Sequence, residues 1–233
     1  MTNSNRVILL TGLVLALVLA LFEGTSLDLR VQDRFYDPVQ GWSVDRDAPW
    51  QKLIFYDAPK VAVGVLGVLL LICIAIPPSR RKRLPFSRRD AAFVLVCVAL
   101  TVATAGLLKK TSGVFNPYKI ARYGGDQPYR TLFASIPHVA GRERGHGFPA
   151  AHCSGAFALM SLYFVSRGRA ARRLGLALGL STGWAVGLYQ MLKGAHYLSH
   201  TVVTMILAWM LILVVSRWFG LGVSTPNHIE RDA

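Results

Sequence analysis

The sequence predicts an all-α, polytopic membrane protein with six transmembrane helices. Two observations carry that prediction. Hydrophobic residues make up 53% of the 233-residue chain and charged residues only 16%, against about 25% charged in an ordinary soluble domain. The apolar residues are also not dispersed but gathered into six runs, near 7–22, 61–77, 91–108, 149–166, 174–192 and 201–219. Each approaches the roughly 17–25 residues needed to cross a bilayer. These features argue against a soluble enzyme, a disordered chain and a disulfide scaffold. The three cysteines, Cys73, Cys97 and Cys153, all lie within apolar runs.

The first run, Val7–Phe22, is longer than the apolar part of a secretion signal, and Glu23-Gly24-Thr25 after it carries no clear small-residue cleavage pattern. It is expected to be a retained helix. The second and third runs are joined by a loop with Arg80, Arg81, Lys82, Arg83, Arg88 and Arg89, the fourth and fifth by one with Arg167, Arg169, Arg172 and Arg173. Short basic loops stay in the cytoplasm. Both termini are therefore expected to be cytoplasmic, and residues 23–60, 109–148 and 193–200 to face outward. The whole chain, 1–233, reads as a single membrane domain without repeats.

Twenty-six Lys+Arg against twelve Asp+Glu give a formal charge of +14. Such an excess suits nucleic acid or an anionic membrane surface, and the apolar runs decide for the membrane, with no nucleic-acid partner expected. Topology accounts for the two cytoplasmic loops. It does not account for 109–148, which carries seven basic residues and two acids on the outer side. That excess points to an anionic ligand. The segment 23–60, with Trp42, Trp50 and Tyr56, is expected to lie along the outer interface as a lid.

Five of the six histidines, His138, His146, His152, His196 and His200, fall in outward loops or at the outer ends of runs. Three distant stretches thus converge on one membrane face: Lys109-Lys110, Gly147–Gly155, and Gly194–His200. Ionisable groups at membrane depth are costly and point to a site. Histidine can serve as nucleophile or general acid, and basic residues can hold the charge of a transferring phosphoryl group. A helix starting at Pro149 would aim free backbone N–H groups at an anion. His196 and His200, four apart, would share a helix face and one could orient the other. The same spacing can bind a metal, but no Cys pair or nearby carboxylate completes such a site. The set suggests phosphoryl transfer through a phosphohistidine, with no metal and no cofactor.

These residues resemble the type 2 phosphatidic acid phosphatase superfamily, whose members are integral-membrane lipid phosphatases. Lys109, six residues, then Asn116-Pro117 fits the spacing of the first family motif. Pro149-Ala150-Ala151-His152 fits the second. Gln190, five residues, His196, three residues, His200 fits the third. The resemblance implies that His196 attacks phosphorus, His152 protonates the leaving oxygen, Lys109 binds phosphate and His200 orients His196. The departures are Asn116 and Gln190 where the motifs carry arginine, Ala150-Ala151 where they carry Ser-Gly, and His200 where they carry Asp. Ala151 keeps a backbone N–H for phosphate. Lys110, Arg122, Arg130, Arg142, Arg144 and Lys193 are candidates to replace the arginines, and Arg122 and Lys193 lie closest in sequence to the vacated positions. The implied activity is hydrolysis of a lipid phosphate monoester or pyrophosphate at the outer face of a bacterial inner membrane. Phosphatidic acid, phosphatidylglycerol phosphate, a polyprenyl pyrophosphate and lipid A are the substrate candidates. Transfer of the phosphoryl group to a second lipid, or binding of an anionic lipid without chemistry, are the alternatives.

Overall fold

A computed structural model describes residues 3–77, 87–134 and 144–221. His138, Arg142, Arg80–Arg83 and the tail with His228 lie outside the described residues. Helix α1 (Asn3–Gly24) leads to a short α2 (Leu27–Gln32), then to a two-stranded hairpin of β1 (Tyr36–Asp37) and β2 (Gly41–Trp42). Helix α3 (Pro49–Lys52) continues through a wide π turn, Leu53–Asp57, into α4 (Ala58–Ala75). Helix α5 (Arg88–Thr111) is followed by two 3-10 turns. Helices α6 (Ala151–Ala158) and α7 (Leu162–Val165), α8 (Arg169–Leu192) and α9 (Leu198–Trp218) complete the bundle.

Six helical segments thus stand where six runs were expected, with altered boundaries. Four are long and apolar enough to cross a membrane: Ser4–Gly24, Pro49–Ala75, Arg88–Thr111 and Leu198–Trp218. The second begins well before residue 61, because the α3 and π segments run straight into it. The fourth is a shorter apolar stretch, Ala151–Val165, broken by the 3-10 turn Leu159–Ser161. The fifth starts at Arg169, so its arginines form the first turns of the helix rather than a loop.

Exposure supports the membrane assignment. Leu9, Leu13 and Leu17 on α1 and Val61, Val65 and Leu69 on α4 all face outward. A belt of that width is untenable in water and ordinary in lipid. Helix α9 is the hub: 61% of its most apolar stretch is buried, against 6% for α1. It packs on α1, α5, α6 and α8 around Phe93, Phe157, Met160 and Ile212.

Close approach of α8 to the α6–α7 segment and, near its C-terminal end, to α9 rests on glycines every fourth residue. A Cβ at Gly175 would meet Leu162, at Gly179 Met160, at Gly183 the Phe157 ring, and at Gly187 Thr201. Small residues in a row let membrane helices pack backbone to side chain. At the start of α5, Ser87 and Asp90 cap the helix reciprocally, at 3.1 and 3.0 Å. The Arg89 guanidinium donates to the Phe219 carbonyl, tying α5 to the end of α9.

Candidate active site

The C-terminus of α8 sets the position of His196. Gly194 takes a left-handed conformation (φ +71°) and ends the helix, the role glycine fills without steric cost. Its N–H donates to Met191 O at 3.0 Å, and the N–H groups of Ala195 and His196 both donate to Gln190 O, at 2.8 and 3.2 Å. The N-terminal segment clamps this turn from outside. The Gln32 carboxamide donates to Met191 O at 2.8 Å, Val44 N–H to Leu192 O at 3.3 Å, and the Trp42 ring occupies the space a side chain on Gly194 would need.

His200 lies in the first turn of α9, and His196 precedes that helix. The two do not share a helix face, as the spacing had suggested; the turn between them folds the rings together instead. Their Nδ1 atoms are 3.1 Å apart. Both rings are almost completely buried. His196 Nε2 is buried with no hydrogen-bond partner. Burial holds the His196 imidazole well below its usual pKa, reinforced by His200, His152 and the charge of Lys109, and offset in part by the Gly147 main chain. It is therefore a neutral ring with one nitrogen backed by a second imidazole and the other left over for chemistry.

His152, on the first turn of α6, remains exposed. Its ring centre is 5.5 Å from that of His196 and 5.0 Å from that of Tyr56. Three lysines, Lys109, Lys193 and Lys60, act on it electrostatically. Lys193 sits over the rings of Tyr189 and Tyr56, at 4.6 and 5.3 Å. Burial, then Arg46 and Lys52, lowers its pKa, so its ammonium is poorly solvated and in need of an anion.

The remaining expected residues divide clearly. Gln190 is buried and its carboxamide nitrogen has no partner, which leaves a donor where the motif arginine would stand. Asn116 abuts Gly147, which in turn donates to Val114 O at 2.7 Å. The Ala151 N–H, expected to be free for phosphate, instead donates to Pro149 O at 2.9 Å, because the helix starts at 151 and the residues before it form a tight turn. Arg122 donates through Nε and Nη2 to the two carboxylate oxygens of Asp33, at 2.8 and 2.7 Å, with Tyr123 donating to the same carboxylate at 2.9 Å. Arg122 is thus occupied by Asp33, and the structure does not join it to the histidines. Lys110 and Arg144 are exposed. His146 Nδ1 lies 3.4 Å from Lys109 O. Among the described residues, no three of His, Cys, Asp and Glu gather as a metal ion would need.

Sequence reasoning missed Lys60, Tyr189 and the whole clamp of Asp28, Gln32 and Trp42. Only the aromatic content of 23–60 signalled it, and that was too irregular to assign contacts.

Residues 90–222, more than half of the chain, match the PAP2 superfamily. The chain belongs to that superfamily. Among solved structures, it is similar to the first transmembrane PAP2 type phosphatidylglycerolphosphate phosphatase from Bacillus subtilis. The two are 13% identical, the match covers 97% of this chain and 98% of the other, and the TM-score is 0.56. At that identity the likeness concerns the fold. A search of curated proteins found no match. The PAP2 region begins at α5, so all three motifs fall inside it, whereas the α2–β2 clamp and Tyr56 belong to the preceding ninety residues.

Proposed function

We propose that this PAP2 protein is a lipid phosphatase that hydrolyses a phosphate monoester or pyrophosphate through a phosphohistidine on His196. The observation that carries the proposal is the state of His196: Nδ1 paired at 3.1 Å with His200, Nε2 buried and unpartnered, and His152 beside it. Buried polar atoms without partners are rare and mark sites of chemistry.

The steps follow from these positions. Lys109, Lys193 and Lys60, with the Gln190 carboxamide, hold the phosphoryl oxygens in place of the two motif arginines. His196 Nε2 forms a bond to phosphorus as the phosphorus–oxygen bond to the lipid breaks, and the departing oxygen takes the proton of His152. A water molecule then attacks phosphorus, gives its proton to His152 and releases His196 as phosphate leaves. The His196 Nδ1 proton stays shared with His200 throughout. The site lies at the outer face of a bacterial inner membrane, in a single six-span domain with cytoplasmic termini.

Detergent-purified protein is assayed for phosphate release from phosphatidic acid, phosphatidylglycerol phosphate, a polyprenyl pyrophosphate and lipid A, with a chelator present and His196→Ala alongside. Release that vanishes in the variant is the expected result. Release that persists in His196→Ala overturns the phosphohistidine. Phosphate appearing on a second lipid makes the protein a transferase. Retained lipid binding without release leaves an anionic-lipid binder on the same fold.

A further inference from the structure

His200 stands where the family motif carries an acid, and a neutral imidazole brings no negative charge to the nucleophile. A carboxylate is nonetheless present behind it. Asp28, from α2, is buried, and lies 171 positions away from Ser199. It accepts the Ser199 N–H at 2.8 Å and the Ser199 hydroxyl at 2.5 Å, and so caps the first turn of the helix that bears His200. Asp28 and His200 also line one small cavity, about 20 Å³, together with Ser199, Glu23, Arg130, Tyr129 and Tyr197. The Tyr197 hydroxyl in that wall is buried and has no partner. The Glu23 carboxylate is already engaged by the N–H groups of Leu132 and Phe133, at 2.7 and 3.2 Å. Among the described residues, the hydrogen bonds of Asp28 come from Ser199 alone.

We propose that Asp28 is a positioning residue for His196, acting through His200. It fixes the first turn of α9 and places behind His200 the negative charge that position 200 itself no longer carries. The inference rests on the reading of His196 as nucleophile. For His200 Nδ1 to accept the His196 Nδ1 proton, the proton of His200 must sit on Nε2. A carboxylate in the same cavity favours that tautomer and makes Nδ1 the better acceptor. No proton leaves His200, and Asp28 touches neither substrate nor His196.

Asp28 can be switched within an accessible pH range. Burial raises its carboxyl to about 6, opposed by the Ser199 hydrogen bonds and assisted by Glu23. Below that pH it is neutral and the support is withdrawn. The other groups facing it are Glu23, Tyr129, Arg130, Tyr197 and His200. Of these, Tyr129 is held well above its usual range by burial, at about 12.

The test uses the full-length protein in detergent micelles with phosphatidic acid and phosphatidylglycerol phosphate. Asp28→Asn is made in the natural chain and in His200→Asp. An asparagine oxygen still accepts from Ser199, so a mere cap survives while the charge is lost. The expected result is a fall in kcat of about tenfold, the scale of losing an outer partner of a working histidine. KM is unchanged, the melting temperature does not fall, and the acid limb near pH 6 disappears. In His200→Asp, which restores an acid at the position, the loss should shrink to less than about twofold, the mark of two coupled residues. Equal losses in both backgrounds, or a loss that tracks the melting temperature, overturn the proposal. Nitrogen-15 NMR of the histidines reads the same relation without turnover: Asp28→Asn must shift His200 away from the Nε2–H tautomer. Should the natural chain release no phosphate while that shift is present, the hydrolase reading falls and the Asp28–His200 relation stands; unchanged spectra overturn it.

Discussion

The imidazoles of His196 and His200 meet through their Nδ1 atoms at 3.1 Å. One must donate and the other accept, so the pair works as a unit only while at least one ring is neutral. Loss of His200 should therefore resemble loss of the orienting acid in a catalytic triad. His200→Ala is expected to lower kcat by about 10²–10⁴-fold with little change in KM, read as phosphate release from phosphatidylglycerol phosphate. His200→Asp is expected to retain more activity than His200→Ala.

The two basic residues nearest the vacated motif positions should separate. Lys193, held between Tyr56 and Tyr189, is expected to matter: Lys193→Ala should lower kcat/KM by about a hundredfold, the scale of losing one charge-stabilising donor. Lys193→Arg should recover part of it. Arg122→Ala should change activity by less than about twofold, since its partner is Asp33 and exposed pairs contribute about 0–1 kcal/mol. Parallel kinetics on the three variants decide the matter.

Gly194 has φ +71° with the Trp42 ring in the space of a side chain. Gly194→Ala carries the left-handed cost of about 1–2 kcal/mol and also pushes Trp42 away. The expected outcome is a lower melting temperature and a loss of activity larger than the stability change explains, because His196 lies two residues on. Trp42→Ala should restore part of the stability of Gly194→Ala.

The stripe on α8 predicts a purely structural failure. Gly183→Leu drives a side chain into Phe157, an overpacking cost of about 1–3 kcal/mol or more. It should reduce the folded fraction in detergent by size-exclusion profile, whereas Leu178→Ala on the outward face of the same helix should not.

Acid should weaken the fold through His196. Its pKa is depressed in the folded protein, first by burial, from an ordinary value of 6.5. The unfolded chain then binds the proton more readily, so stability is lost as pH falls below that value. Asp28, raised to about 6, acts in the opposite sense, because the fold favours its protonated form. In Asp28→Asn this opposing effect is gone, and the melting temperature should drop more steeply between pH 7 and pH 5 than in the natural chain.

Much of the architecture was legible in the sequence. Apolar runs located six helical segments among the described residues, and the motif spacing brought Lys109, His152, His196 and His200 to one region. The failures have identifiable causes. Hydropathy locates a helix by its apolar middle, so it missed the amphipathic start at Pro49 and the arginine-rich start at Arg169. Spacing places His196 and His200 on one helix only if a helix spans both, and Gly194 prevents that. Proximity in sequence favoured Arg122, but Asp33, 89 positions away, decides where its charge goes. Asp28 was invisible for the same reason: a lone acid in an outer loop gives no sign that it caps a helix 171 positions later. The glycines of α8, four apart, went unread, because hydropathy does not weigh them.

The clamp made by Gln32, Trp42 and Val44 on the turn before His196 also sets an order of manufacture. Ribosomes deliver the clamp first and the turn last, separated by some 150 residues of chain. The His196–His200 pair draws on the first turn of α9 and on the turn after α8 that the N-terminal segment clamps. A chain halted anywhere before Gln190 would leave the clamp without its turn. Such a chain would also lack both histidines of the pair.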